Sequence, residues 1–321
     1  MRVVAAAAGV ALSMCTAAFG QQSVVQPRTP ASSGKAPLDT VTVEAQRERK
    51  ELEREVHEFV FAVAVRSVHD SLSRWNTPVC PLVAGLPKEQ GEFVLARLSQ
   101  IATAAKAPLA GEHCTANFYV IVTSQPELLL KKWQARDRRM FDTRNGMGSL
   151  RRFLDTPRAV RVWYNVGLAS TDGNPITSDS LAGALVGSSV GLNLLMADIP
   201  TNTVRMGTRL RYSAVRSLSS VIVIVDANSV RELNFGQLAD YVGMVGLAEV
   251  NQDAEVGPVP TILRLFRTSP DPPQGLSAWD QAFLGSLYGI DQASVLEQPM
   301  MKRSMVSTLA PSPEAKQPPP R

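Results

Sequence analysis

Histidine and cysteine are scarce in this chain, with three of each in 321 residues: His57, His69 and His113, and Cys15, Cys80 and Cys114. A zinc-binding helix needs two imidazoles about one turn apart, and His57 and His69 are separated by roughly three turns. There is no H-E-x-x-H, no C-x-x-C and no glycine-rich phosphate loop, so the usual signatures of metallopeptidases, thiol redox proteins and nucleotide-binding folds are missing. Metal ligands and cofactor residues are therefore expected to be none. Carboxylate pairs for acid–base work have no spacing that singles one out. Aromatic residues make up only 6% of the chain. The three in the basic stretch from Lys131 to Arg161, Trp133, Phe141 and Phe153, do not form the repeated interleaving that suggests stacking on bases, and nucleic acid is not expected as a partner.

What is present begins with the leader. Arg2 precedes the apolar segment Val3 to Ala18, and Ala18-Phe19-Gly20 places small residues at the two positions a signal peptidase reads. Residues 1–20 are expected to be removed as a signal peptide, because the run is shorter than the roughly 20 residues a membrane span needs. Lipidation at Cys15 is disfavoured by bulky Met14, where Gly, Ala or Ser normally precedes the modified cysteine. No later segment is apolar enough to span a bilayer, and a periplasmic or secreted location is expected. In an oxidising compartment the two remaining cysteines, Cys80 and Cys114, should pair as a disulfide. A thiolate at Cys114 activated by His113 is the alternative. The net charge of +4 and pI near 9.1 suit anionic surfaces without requiring them.

The chain is organised around Leu218 to Val250. Ser220 to Val225 is β-branched without polar alternation and is expected to be a strand buried on both faces, closed by Asp226-Ala227-Asn228. Asn234 and Gln237 then form a capping pattern, and from Leu238 to Leu247 only Asp240 is charged, which marks an interior helix. Gly243 and Gly246 each cost a helix about 1 kcal/mol against alanine. They imply either close approach of a backbone or ligand or, more simply, tight packing of helix on sheet. Gln237, Asp240 and Tyr241 are the polar groups of this helix and the candidate ligand-facing residues.

Around this centre, helices are expected over Arg47 to Ser71, Glu89 to Ala105, Pro126 to about Phe141, Thr261 to Arg267 and Ser277 to Tyr288, the last with a Ser277/Asp280 capping box. Asn117 to Thr123 reads as a buried strand, and Ala159 to Val166 and Val204 to Tyr212 as half-exposed ones. Leu168 to Pro200, rich in Gly, Ser, Asn and Ala, is expected to be a long excursion. The fold class is α/β, a mixed α+β arrangement: one layered domain over residues 47–292 whose mixed sheet is packed by helices. A flexible linker at 21–46 and a disordered tail at 293–321 are expected to flank it.

Two motifs bear on function. Gly187-Ser188-Ser189-Val190-Gly191 fits G-x-S-x-G, but every histidine lies upstream of Ser189, whereas that motif has its histidine downstream. A flexible small-residue loop is the simpler reading. Thr40 to Arg47 resembles the segment at the start of TonB-dependent outer-membrane receptors that is captured as an extended strand by an envelope partner. The plainer alternative is a short extended lead-in to a helix.

The order of buried strand, polar turn and oily helix ending Gly246-Leu247, followed by Leu276-Ser277-Ala278-Trp279-Asp280 and Leu287-Tyr288, resembles uncharacterised secreted bacterial proteins with a zincin-like, metallopeptidase-related domain. In that family the central helix carries the zinc signature. Here the two ligand positions hold Ala239 and Gly243 and the glutamate position holds Asp240, so the resemblance implies the fold without the metal. The expectation is an exported, non-catalytic binding or interaction protein whose partner is an envelope protein or an anionic envelope component. The alternative is a secreted hydrolase acting through Ser189 or scattered carboxylates.

Overall fold

The computed structural model describes residues 38–65, 71–136, 141, 147–171, 209–267 and 271–310. The chain separates into two units, Met1–Val43 and Glu44–Arg321. Of the first, only the backbone of residues 38–43 is described, as the opening of a helix. The architecture is that of the second unit, a mixed α/β fold with seven α-helices and a four-stranded sheet among the described residues.

The sheet is ordered β1 (Pro81–Ala84), β2 (Phe118–Thr123), β4 (Ala214–Asp226), β3 (Val160–Ser170). β1, β2 and β4 run parallel, and β3 pairs antiparallel with β4 from Val160 opposite Val225 to Ser170 opposite Ala214. The central strand is β4, where Val221 to Val225 are at most 2% exposed. Alternation of side chains divides them between two cores. Val221, Val223 and Val225 face the larger core, with α1 (Leu38–Val63), α2 (Lys88–Ala105), α5 (Phe235–Leu247), α6 (Ala278–Gly289) and α7 (Glu297–Leu309). Ile222 and Ile224 face a smaller one, where Trp163, Phe141 and Phe153 stack edge to face or tilted beneath α3 (Pro126–Arg136) and α4 (Met147–Asp155).

Ala159 to Val166 was expected to be half-exposed, but Val160 to Tyr164 are all buried, because helices cover both faces of the sheet at this strand. Both β3 and β4 also run beyond the apolar runs that announced them. Leu168 to Ser170, assigned from the sequence to the excursion, extend β3, and the rest of that excursion, including Ser189, lies outside the described residues. Most of the strand expected at Val204 to Tyr212 lies there as well. Its end forms a turn at Arg209 and Leu210 and a single bridge from Arg211 to Ser294.

Three further expectations are corrected. The linker does not reach residue 46, since α1 begins at Leu38 and takes in Thr40 to Arg47. The alternating Thr-Val-Thr-Val reads as extended, but once a helix is nucleated each added residue gains a hydrogen bond, and the pairs Arg49–Glu53 and Arg54–Glu58 support the next turns. The tail expected from 293 folds as well: α7 buries Met301, Met305 and Val306. Pro299 sits in the first turn, where its missing N–H has no intrahelical acceptor to lose. Thr261 to Arg267 is only a short 3-10 turn, Ile262–Arg264.

Helix α5 is sealed at both ends. Asn234 and Gln237 form the expected capping box, with the Gly236 N–H donating to Asn234 Oδ1 at 2.7 Å and the Asn234 N–H to Gln237 Oε1 at 3.1 Å. At the other end no glycine turns the chain, and Ala248 is extended. The last carbonyls instead accept from three aromatic side chains: Tyr164 Oη to Val245 at 2.8 Å, Trp75 Nε1 to Gly246 at 2.9 Å, and Tyr288 Oη to Leu247 at 2.6 Å. The glycines are there for packing. A Cβ on Gly246 would stand 2.0 Å from the Phe118 ring, and one on Gly243 2.6 Å from the Ile101 methyl.

Cys80 and Cys114 are bonded to each other, as expected, tying β1 to the segment before β2. Replacing Cys80 by alanine is expected to lower unfolding free energy by about 3–4 kcal/mol for this loop of 34 residues, measured by urea denaturation against the oxidised parent. Tyr288→Phe removes the donor to Leu247 and leaves a buried carbonyl short of a partner. It is expected to cost about 1–3 kcal/mol in the same measurement.

Candidate functional site

The three residues singled out on α5 do not line a cleft. Asp240 is 3% exposed and holds Arg97 of α2 in a two-point pair, Nε to Oδ1 at 2.5 Å and Nη2 to Oδ2 at 3.0 Å, while also accepting the Leu276 N–H at 2.9 Å. Gln237 is buried, completes the cap and donates to the Pro273 carbonyl at 2.9 Å. The Tyr241 ring stands edge-on to Phe266 with centroids 4.8 Å apart, and burial pushes its hydroxyl up to about 12. Each has a partner within the fold, and none of Gln237, Asp240 and Tyr241, the candidate ligand-facing residues, lines either of the two hollows described below. A buried polar group on an oily helix must be satisfied, and here the satisfaction comes from the fold itself.

Ala239 and Gly243 are likewise interior. His57 is exposed on α1 with its Nδ1 2.7 Å from Lys302 Nζ, His113 is exposed beside the disulfide at φ 62°, and His69 lies outside the described residues. Among the described residues, no group of three or more His, Cys, Asp or Glu could hold a metal ion.

The concave site lies elsewhere, along β3. A cleft of about 910 Å³ is lined by Arg161 to Tyr164 of β3, the end of α1 at Phe61 and Ala62, Ser149 and Arg152 of α4, Arg158, Arg216 of β4, Glu249 to Asp253 after α5, and Gln298 of α7. Its walls are set by ion pairs. Arg216 donates to Glu249 at 2.8 Å and to Ser73 Oγ at 2.8 Å, with Glu249 only 6% exposed at its side chain. Arg158 donates to Asp253 at 2.6 Å. Arg161 is the deepest: its side chain is 2% exposed, one Nη reaches Glu127 of α3, the other lies 3.4 Å from the Leu154 carbonyl, and its Nε has no acceptor. A second, smaller hollow of about 260 Å³ lies between α2 and α6, walled by Arg97, Ile101, Leu276 and Leu284.

No family model, curated protein or solved structure matches this chain. No helix among the described residues is long and apolar enough to cross a membrane, and this, with the disulfide, is compatible with an extracytoplasmic protein.

The sequence named the basic stretch that contributes Arg152, Arg158 and Arg161, but not Arg216, Glu249 or Asp253. Nothing in their local pattern signals a site, because β4 and the turn after α5 meet α4 and β3 only in three dimensions. Next to the cleft, Glu297 of α7 accepts the Leu72 N–H at 2.8 Å through one oxygen, and its other oxygen is buried without a partner. Burial, only partly offset by the Leu72 bond and Arg74, raises its carboxyl from 4.5 to about 7. The folded state thus binds this proton more tightly than the unfolded chain does, so stability is lost as pH rises from 4.5 through 7. Glu297→Gln is expected to flatten that loss, worth roughly 3 kcal/mol, in denaturation midpoints measured from pH 5 to pH 8.

Proposed function

We propose that this chain is an exported, non-catalytic binding protein of the bacterial envelope, periplasmic or secreted, that holds its ligand in the β3 cleft. The reading is carried by the cleft's lining. Its volume falls in the range of small-molecule sites, and its polar side chains come from separate elements that converge on one space. The lining holds neither histidine nor cysteine, and its two carboxylates, Glu249 and Asp253, are each bonded to an arginine. A carboxylate whose oxygens already accept from a guanidinium has lone pairs committed to that bond and is poorly placed to take a proton from a substrate. Groups arranged this way orient a ligand without reacting with it. The leader and the disulfide support export. On the zincin-like resemblance, α5 is a central helix that serves packing in place of zinc binding.

The test compares the parent with Ser149→Trp, which fills the cleft from an exposed position on α4. Small solutes that raise the parent's melting temperature are expected to leave the variant's unchanged and to be recovered intact by mass spectrometry. Covalent labelling by a fluorophosphonate that disappears in Ser189→Ala, or conversion of any such solute to product, would overturn the reading in favour of a hydrolase.

A further inference from the structure

We infer that the β3 cleft recognises an oxyanion, a carboxylate or phosphate carried on a small molecule, through Arg152, Arg158 and Arg161. This rests on the cleft being the binding site and adds the chemistry of what it binds.

The first observation is a surplus of buried donors. Arg161 has 2% of its side chain exposed, with Glu127 and the Leu154 carbonyl meeting its two Nη atoms and nothing meeting Nε. A buried N–H left without an acceptor costs about 1–3 kcal/mol, and this one has almost no accessible surface, so an oxygen that reached it by a small side-chain movement would recover that cost. Gln252, also in the lining, repeats the pattern. Its side chain lies beside the Tyr241 hydroxyl, but its Nε2 makes no hydrogen bond of normal geometry. Both orphaned atoms are nitrogen donors, and an oxyanion is the ligand class that offers several acceptors in one small group.

The second observation is charge. The lining carries Arg152, Arg158, Arg161 and Arg216 against Glu249 and Asp253. Glu249 is bonded to Arg216, Asp253 to Arg158 and Glu127, from outside the lining, to Arg161, which leaves Arg152 as the arginine with no ion-pair partner among the described residues. The space is therefore positive on balance, and the guanidinium fork matches carboxylate and phosphate oxygens two at a time.

The third is shape. Arg161 is sunk in a cavity wall, out of reach of a flat membrane surface, and about 910 Å³ suits a solute of one or two sugar rings.

Isothermal titration calorimetry with digalacturonate, glucose 1-phosphate and uncharged maltose tests this. At least one charged probe is expected to bind at millimolar affinity or better, more weakly in high salt, while maltose does not bind. Digalacturonate alone would identify a carboxylate ligand, and glucose 1-phosphate alone a phosphate; either result supports the inference. Arg152→Gln alters an exposed side chain and Arg161→Lys keeps the charge but lacks the Nε donor. Each is expected to weaken binding roughly tenfold, about 1.4 kcal/mol, with the circular dichroism spectrum unchanged. Should Arg161→Lys fail to fold, Arg152→Gln carries the test. Equal binding of maltose, no binding of either charged probe, or indifference to Arg152→Gln would overturn the oxyanion assignment. In those cases the cleft itself still stands if Ser149→Trp abolishes binding of any other solute, and falls with it if Ser149→Trp changes nothing.

Discussion

The carbonyl end of α5 is the constraint on which the rest of the structure depends. A helix that stops inside a protein leaves its last carbonyls without intrahelical partners, and burying them unmet would cost several kcal/mol. Here Tyr164 from β3, Trp75 from the segment after α1, and Tyr288 from α6 each deliver one donor to consecutive carbonyls, Val245, Gly246 and Leu247. Each of these side chains also buries a large ring, so the same residues fill the core and satisfy the helix. The position of β3, the path of the chain through Trp75 and the docking of α6 are fixed together.

That arrangement explains why the polar residues of α5 are structural. With its carboxyl end held by aromatics and its amino end by the Asn234 cap, the helix sits against the sheet closely enough that Gly246 meets the Phe118 ring. Gln237 and Asp240 then serve as fasteners to the segment before α6 and to α2. Asp280 does the same one element later. It is fully buried and accepts from Thr261, Ile262 and Ser277, bonds that offset part of the burial that raises its carboxyl.

Since the interior is used up in this way, the concave surface falls at the margin of the sheet, beside its antiparallel strand. Side chains there have one flank in the core and one on the cleft. Tyr164 lines the cleft while capping α5, and Arg161 is clamped by α3 and α4 while lining the same space. On the proposed reading, a ligand there would meet side chains already held in place by the fold, which favours recognition by preformed geometry.

The sequence by itself determined what depends on near neighbours. The double burial of Val221 to Val225, the interior character of α5, both capping boxes and the pairing of Cys80 with Cys114 follow from local pattern, short-range hydrogen bonding and the count of available thiols. The helical state of Thr40 to Arg47 and the folding of α7 were hidden because alternating β-branched residues and an early proline imitate extended or disordered chain until a continuing helix or a core overrides them. Only the tertiary structure decided which polar residues face a cleft. Asp240, the one charge on an oily helix, and Arg161, the last residue of the basic stretch, both end up buried. What separates them is whether every hydrogen-bonding atom finds a partner across the fold: Asp240 finds Arg97 and Leu276, 143 and 36 residues away, and Arg161 Nε finds none.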